Sequence, residues 1–258
     1  CNNSLSFDEV VRDREKIKRL LKEREELDKM KDEFIAIASH EVNTPLSIAQ
    51  GYLSLVLEGT AGKLEPKVKN FLTKAYEGIH RINFLLSALM NASKIEQGKL
   101  VAQKARVNLN YLCKESVRIY LPYAKKRHIE LEYQKPKESP YVLCDPKLIK
   151  EVLNSLISNA LKFIPKTRKG KVTVSLERKD NQILVSVKDN GIGIDKKKLP
   201  HLFEKFFQED TSFTRATQGA GLGLYLTQSF LKLHNSKIEV KTEKGKGSEF
   251  WFGLEVVK

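Results

Sequence analysis

Residues 34–46 read FIAIASHEVNTPL, which places an imidazole, a carboxylate and a hydroxyl within about one turn of an apolar-periodic helix. With a helical step of about 100° per residue, His40 points roughly 155° away from the mean direction of the apolar face. His40 and Thr44 therefore face water, with Glu41 beside them. A nucleophile with a neighbouring base is one interpretation of this cluster, and a solvated surface histidine is the other. The apolar face consists of Ile35, Ala38, Val42, Leu46, Ala49 and Leu53.

The charged stretch before this box predicts a coiled coil. Leu20, Leu27 and Phe34 are seven residues apart, and Met30 and Ile37 fill the interleaved positions. We expect a signal helix over residues 1–32 that continues to about residue 57, with a bend where proline 45 removes a backbone donor. A parallel dimer is the simplest partner for this seam, and an intramolecular amphipathic helix is the alternative.

A second helix is predicted up to about Ile95, after the turn at residues 58–63. A hairpin of two helices cannot bury both of its apolar faces, so we expect two hairpins to pair as a dimeric four-helix bundle. This all-α domain is predicted over residues 33–100, with His40 on its outside. The second helix carries apolar residues at spacings of three and four: Val68, Phe71, Leu72, Ala75, Ile79, Ile82, Leu85, Leu86 and Leu89.

Residues 101–258 change to short alternating elements, which predict an α+β sandwich with helices on one face of a mixed sheet. A turn is expected at residues 179–181 between two of its strands. Helices are predicted over residues 109–126, 146–163 and 221–233, and strands over residues 129–133, 141–143, 172–178, 183–189, 237–241 and 249–256.

The predicted helix 146–163 carries Asn159 and Lys162 on one flank, where an amide oxygen and an ammonium suit a metal-bound triphosphate. Asp189 ends a strand before Gly191 and Gly193, and its carboxylate can accept the exocyclic amine of adenine. An ordinary Asp-x-Gly turn is the alternative there. Residues 219–223, GAGLG, precede a helix, so their backbone N–H groups can approach phosphates.

The polar stretch 208–218 between the glycine segments is interpreted as a lid, anchored by the aromatic residues of Phe203–Phe207 and ordered by nucleotide. Arg215 within it is a candidate phosphate contact, with a solvated side chain as the alternative. The remaining histidines are expected to be solvated surface residues; they are His80, His128, His201 and His234.

Charge and cysteine content limit the function classes. The net charge is +14, and residues 101–258 carry 30 Lys and Arg against 17 Asp and Glu. No helix-turn-helix, zinc-finger or aromatic-basic pattern accompanies this charge, which argues against nucleic-acid binding. Three scattered cysteines fit a reducing cytosol. No apolar run approaches the roughly 20 residues of a membrane span, so any membrane association is expected to depend on a region before Cys1.

In combination these motifs resemble the catalytic portion of bacterial two-component sensor histidine kinases. The match rests on His40-Glu41-x-x-Thr44-Pro45, Asn159-Ala160-x-Lys162-Phe163, Asp189-x-Gly191-x-Gly193, the Phe203 segment and Gly219-x-Gly221-Leu222-Gly223, in the family's order. The resemblance implies a bundle followed, over residues 101–258, by an ATP-binding domain of the fold shared with type II topoisomerases and certain chaperones (GHKL or Bergerat type).

The resemblance also implies a function. His40 would be phosphorylated by ATP with Mg²⁺, assisted by Glu41, and would pass the phosphoryl group to an aspartate of a response-regulator receiver domain, in a cytoplasmic homodimer. Thr44 could orient a water that dephosphorylates the regulator, or make a local hydrogen bond. The family usually has Arg or Lys where this chain has Asn43, and Asn where it has Ser155. An ATPase clamp and a phosphatase-biased scaffold are the alternatives.

Overall fold

The computed structural model describes residues 7–136, 140–208 and 221–257. The chain divides into two compact units, Cys1–Lys94 and Ile95–Lys258. The first is a pair of long helices, and the second contains the sheets. Of the helices that the structure describes, none is long and apolar enough to cross a membrane.

The first unit is a helical hairpin. Helix α1 spans Phe7–Glu58 and continues through Pro45, and α2 spans Pro66–Glu96. Both agree with the predicted helices. The turn between them closes with Gly59 and Gly62 at positive φ.

Polar side chains connect α1 and α2, and the buried residues of the hairpin are small. Ser39, Ala88 and Ala92 are buried, and Ser93 Oγ donates to Asp32 Oδ1 at 3.0 Å. Gln50 connects the two helices: its Oε1 accepts from Asn83 Nδ2 at 2.9 Å, and its Nε2 lies 2.9 Å from His80 Nε2. This narrow contact leaves most of the large apolar side chains of the hairpin outside it.

The predicted coiled-coil residues are exposed on the single chain. Their side chains are 56 to 73% exposed, so α2 does not cover them. Among the described residues, the hairpin's own packing therefore leaves the seam uncovered. These residues are Leu20, Leu27, Met30, Phe34 and Ile37.

The second unit combines two sheets with helices. The helices are α3 (Leu109–Lys126), α4 (Pro146–Lys162), a short 3-10 helix (Lys196–His201) and α5 (Gly223–Leu233). The strands are β1 (Ala105–Asn108), β2 (Ile129–Gln134), β3 (Tyr141–Cys144), β4 (Gly170–Lys179), β5 (Gln182–Asp189), β6 (Ile238–Glu243) and β7 (Gly247–Glu255).

The main sheet has the strand order β2-β4-β5-β7-β6 and is mixed, as predicted: β2 and β4 are parallel and the other neighbours antiparallel. Strands β1 and β3 form a separate antiparallel pair. Along β4, β5 and β7 burial alternates with a period of two. One face of this sheet therefore packs into the core, and the other carries polar side chains.

The core of this unit lies between the sheet and the helices. Helix α4 buries a stripe of seven residues at helical spacing, as in an amphipathic helix. Cys113 and Cys144 are free and buried in this core. The fully buried side chains include Leu109, Ile149, Leu153, Leu156, Ile157, Leu161, Phe230, Phe252 and Leu254.

Three elements differ from the sequence predictions, the first being the short 3-10 helix Lys196–His201, which the sequence pattern did not predict. Strand β1 was not predicted, because its four residues, ARVN, are too few for a clear alternation. Helix α5 begins at Gly223, two residues later than predicted. The β4–β5 turn is the two residues Asp180 and Asn181, within the predicted range, and Asp180 takes a positive φ.

Candidate functional site

His40 lies on α1 and its side chain is open to solvent. The imidazole is 81% exposed, and its Nδ1 lies 3.5 Å from Oε1 of Glu41, which is 76% exposed. Ser39, the preceding residue, is buried, so His40 lies one helical step of about 100° away from a buried position. The sequence prediction of a water-facing imidazole beside a carboxylate is confirmed.

Thr44 makes the local hydrogen bond that was one of its two predicted roles. Its Oγ1 donates to the carbonyl oxygen of His40 at 3.2 Å. Pro45 follows, inside the helix and without a backbone N–H. The hydroxyl oxygen keeps its acceptor lone pairs while it donates, and Thr44 is exposed.

Helix α4 forms one wall of the candidate nucleotide pocket. Its start is fixed by Asp145, whose Oδ1 accepts from Lys147 N and Leu148 N and whose Oδ2 accepts from Gln103 N. Near its other end, Ser155, Asn159 and the capping residue Phe163 follow one another at intervals of four residues, so they share one face.

The two glycine segments meet α4 on this face. A Cβ added at Gly223 would lie 2.9 Å from Ser155 Oγ, and one at Gly191 would lie 2.6 Å from the carbonyl oxygen of Phe163. Asn159 stands between these two contacts, one turn from each. The structure therefore brings together the motifs around Asn159, Gly191 and Gly223, which are well separated in sequence. The ammonium of Lys162 lies 4.9 Å above the Phe163 ring.

Asp189 ends β5 and is partly buried. Its Oδ1 accepts from Gly191 N at 2.7 Å and from Ser248 N at 3.3 Å. Both bonds use Oδ1, so Oδ2 takes part in neither. Burial raises the pKa of the Asp189 carboxyl to about 6, while the two backbone N–H groups act in the opposite direction by favouring the ionised form.

Close backbone approach explains the glycines that follow Asp189. Gly193 has φ +65°, and a Cβ there would lie 2.1 Å from the carbonyl oxygen of Glu243. Gly221 has φ +70°, and a Cβ there would lie 2.6 Å from the carbonyl carbon of Phe206. Any L-residue would be strained and obstructed at both positions.

Helix α5 begins directly after this glycine segment. Leu222 is its buried N-terminal capping residue, and among the residues that the structure describes no side-chain hydrogen bond caps the helix. The positive end of the helix and its first N–H groups are therefore suited to an anionic group. Of the expected phosphate contacts, Arg215 and Gly219 lie outside the described residues, as does most of the predicted lid.

Of the aromatic residues predicted to anchor this lid, Phe206 is 62% exposed, whereas Phe203 and Phe207 are partly buried. In addition, Phe206 N donates to the carbonyl oxygen of Gly221 at 3.1 Å, a backbone bond between residues that flank the predicted lid. Among residues 7–136, 140–208 and 221–257, no three His, Cys, Asp or Glu side chains are grouped to hold a metal ion.

Two family models match the chain. The model described as "His Kinase A (phospho-acceptor) domain" matches residues 30–98, which include His40. The model described as "Histidine kinase-, DNA gyrase B-, and HSP90-like ATPase" matches residues 144–258, which include Asn159, Asp189 and Gly223. The chain belongs to the histidine kinases. Its second unit is accordingly an ATP-binding domain.

Curated proteins similar to this chain include a histidine kinase and a sensor protein. This histidine kinase chain is 32% identical to the circadian input-output histidine kinase CikA of Thermosynechococcus vestitus over 231 residues, which are 89% of the chain and 31% of that protein. It is 32% identical to the sensor protein GacS of Pseudomonas syringae pv. syringae over 243 residues, 92% of the chain and 26% of that protein. The chain therefore spans less than a third of these curated relatives.

Solved structures of other proteins are also similar to this chain. Full-length ShkA in complex with AMPPNP matches with a TM-score of 0.69 and 26% identity, over 87% of this chain and 46% of that one. The catalytic domain of the histidine kinase ThkA matches with a TM-score of 0.52 and 27% identity, over 59% of this chain and 95% of that one.

Sequence reasoning missed two residues of the kinase's second unit. His234 was expected to be solvated, but it is 7% exposed: its Nε2 accepts from Asp145 N at 2.9 Å and its Nδ1 donates to Phe230 O at 2.7 Å. Its apolar neighbours on α5 were the available signal. Arg168, which bonds to the loop after Asp189, lies in the basic run KTRKGK, where no periodicity marks it.

Proposed function

We propose that this chain uses ATP to phosphorylate its own His40 and then transfers the phosphoryl group to an aspartate of a response-regulator receiver domain. The observation that carries the proposal is the exposed His40 imidazole with the Glu41 carboxylate on its Nδ1 side. The glycine-lined pocket around Asp189, in a domain of the ATPase family, supports ATP as the donor.

The position of Glu41 assigns roles to the two ring nitrogens. At 3.5 Å, Glu41 Oε1 is slightly beyond hydrogen-bond distance of His40 Nδ1, and both exposed side chains can close this gap by small rotations. Glu41 then accepts the Nδ1 proton, so Nε2 keeps its lone pair and attacks the γ-phosphorus in line. The new N–P bond replaces the bond from the γ-phosphorus to the bridging oxygen, and ADP leaves.

The base contact is assigned to Asp189. An ionised carboxylate accepts the exocyclic amine of adenine, whereas guanine and hypoxanthine present a carbonyl at the matching position. Oδ1 is held by two backbone N–H groups, and Oδ2 is the oxygen proposed to meet the amine. Asp189 would thus select adenine over other purines.

The triphosphate is assigned to side chains at the end of α4, to Arg215 and to the glycine segments. Lys162 and Arg215 would neutralise phosphate charge, and the Asn159 amide oxygen would be the protein ligand of Mg²⁺, which usually keeps several waters. The bound metal would supply charge neutralisation of the phosphates. Phe163 and the backbone at Gly191, Gly193, Gly219, Gly221, Leu222 and Gly223 would line the pocket.

Thr44 is proposed to act after transfer, by orienting the water that removes phosphate from the regulator. Its bond to the His40 carbonyl leaves its oxygen able to accept from such a water. The requirement for ATP places this part of the chain in the cytoplasm under the same proposal.

Labelling with ATP marked at the γ-phosphate tests the kinase proposal. Wild-type protein should give a label that resists base and is lost in acid, as expected for a phosphorus–nitrogen bond. His40→Gln should give none. His80→Gln is the matched control, since His80 is an exposed histidine of the same hairpin, and it should label normally. Equal labelling of His40→Gln and wild type would refute the assignment.

A homodimer through the hairpin is proposed on the exposed coiled-coil seam. Leu27 and Phe34 are 63 and 73% exposed, although a single chain gains by burying such side chains. Replacing both by Glu should shift sedimentation toward the monomer. Tyr111→Glu, at a 64% exposed position of the second unit, should not. An unchanged dimer in the double variant would contradict the proposal.

A further inference from the structure

Arg168, in the connection between α4 and β4, bonds to three backbone carbonyls from two other segments. Its Nη1 donates to the carbonyl oxygens of Asn190 at 2.6 Å and Gly191 at 2.9 Å. Its Nη2 donates to the carbonyl oxygen of Gly245 at 2.8 Å. One guanidinium thus ties together the loop after β5 and the turn between β6 and β7.

One of these bonds is directly connected to Asp189. The Asn190 carbonyl that accepts from Arg168 and the Gly191 N–H that donates to Asp189 Oδ1 belong to the same peptide group. In a trans peptide these two groups point in opposite directions. Arg168 therefore holds one side of the peptide plane, and the Asp189 carboxylate is bonded to the other. The hydrogen bond from Arg168 to the Asn190 carbonyl also polarises the Gly191 N–H and strengthens its bond to Asp189 Oδ1.

Other hydrogen bonds among the described residues hold neighbouring parts of the loop after β5, but none of them is made to the peptide group between Asn190 and Gly191. Gly245 N donates to the carbonyl oxygen of Ile192. The Asn190 side chain accepts from Lys171 N at 2.7 Å and donates to the carbonyl oxygen of Lys169 at 2.9 Å. A lysine at position 168 could not replace the arginine, because the planar guanidinium presents several donors in fixed directions.

We infer that Arg168 is a positioning residue for adenine recognition, which acts by orienting the peptide group that holds the Asp189 carboxylate. The inference rests on the proposed role of Asp189. It concerns the base and not the triphosphate, because the three carbonyls surround the Asp189 loop. Loss of Arg168 should therefore weaken binding of adenine nucleotides more than binding of nucleotides that lack the exocyclic amine.

The test compares ATP with inosine triphosphate, which carries the same triphosphate and a carbonyl in place of the amine. Arg168→Ala should weaken ATP binding by about tenfold, the effect of one charge-assisted hydrogen bond, and inosine triphosphate binding by less than about twofold. Arg168→Lys should resemble Arg168→Ala. Lys166→Ala, which removes an exposed cation two residues away, should leave both affinities unchanged.

Hydrogen exchange without nucleotide provides an independent measurement. The Gly191 amide should exchange faster in Arg168→Ala than in wild type or Lys166→Ala, because its bond to Asp189 opens more often. Unfolding monitored by circular dichroism establishes that the variant is folded.

The outcomes separate the two claims. If Asp189→Asn loses discrimination between the nucleotides while Arg168→Ala keeps both discrimination and Gly191 protection, the inference is overturned and the role of Asp189 stands. If Asp189→Asn discriminates like wild type, the base contact is wrong and the inference fails with it. Parallel losses in both variants, with faster Gly191 exchange, support both.

Discussion

The raised pKa of Asp189 should make adenine recognition depend on pH in a range where most carboxylates do not titrate. Burial raises this pKa from 3.8 to about 6. The adenine amine is a donor, so it needs the ionised carboxylate as its acceptor. A protonated carboxyl could instead donate to the carbonyl of hypoxanthine. Acidification should therefore reduce the preference for ATP over inosine triphosphate.

The size of the effect follows from the titration. With a pKa of about 6, the ionised fraction is about 0.9 at pH 7 and about 0.1 at pH 5, so ATP affinity should fall about tenfold between them. With the ordinary value of 3.8, the fall would be less than about 10%. The two cases are readily distinguished.

Competition binding of both nucleotides at pH 5, 6, 7 and 8 and constant ionic strength would measure the effect. The ratio of the two affinities cancels ionisation of the phosphates, which the nucleotides share. This ratio should fall at least about tenfold from pH 7 to pH 5, and it should be flat in Asp189→Asn. A wild-type ratio that is equal at pH 5 and pH 7 would refute the reasoning.

The same shift predicts the opposite trend for stability without nucleotide. Because the folded pKa lies above the unfolded value, the folded state binds more protons between about pH 4 and 6. The contribution of Asp189 to the free energy of unfolding should therefore decrease as pH rises through that window.

Three further predictions concern folding. Gly193 has φ +65°, and the carbonyl oxygen of Glu243 lies where a Cβ would be, so Gly193→Ala should destabilise the second unit by at least about 1–3 kcal/mol. Gly78 lies on α2 with open space around it, so Gly78→Ala should stabilise the hairpin by up to about 1 kcal/mol. Urea unfolding measures both changes. Burial lowers the pKa of His234, so wild type should lose stability relative to His234→Gln as pH falls below about 6.5, in paired melts. Asp145→Ala should cost about 0.5–2 kcal/mol in chemical denaturation, and Asp145→Asn less.

Long periodic elements could be predicted from the sequence because their own residues carry the signal. Helices α3 and α4 begin where predicted, at Leu109 and Pro146, since each follows an Asn or Asp that caps it. Strands β4 and β5 alternate cleanly because one face is buried. Strand β1 lacks such a signal, because it is defined by pairing with β3, about 35 residues later.

Part of the candidate site could also be predicted, because some of its residues stand in local sequence motifs. His40, Glu41, Asn159 and Asp189 carry chemistry in their side chains and stand in recognisable motifs. The contacts of Arg168, and the contact of His234 with Asp145 N, are made to backbone groups of distant segments, at separations of 22 to 89 residues. Such bonds depend on which loops the fold brings together, so neither composition nor periodicity could indicate them.

Helix α1 carries side chains with three different surroundings along residues 34–41. Ser39 is buried, Phe34 and Ile37 belong to the exposed seam, and His40 and Glu41 are open to solvent. Glu41 follows Ile37 by four residues and so lies beside the seam, and His40 is one helical step away, so a rotation of the helix that moves one of these residues moves the others. A change in packing along the seam would therefore alter the direction of the imidazole without any contact to it, because residues 34–41 belong to one unbroken helix.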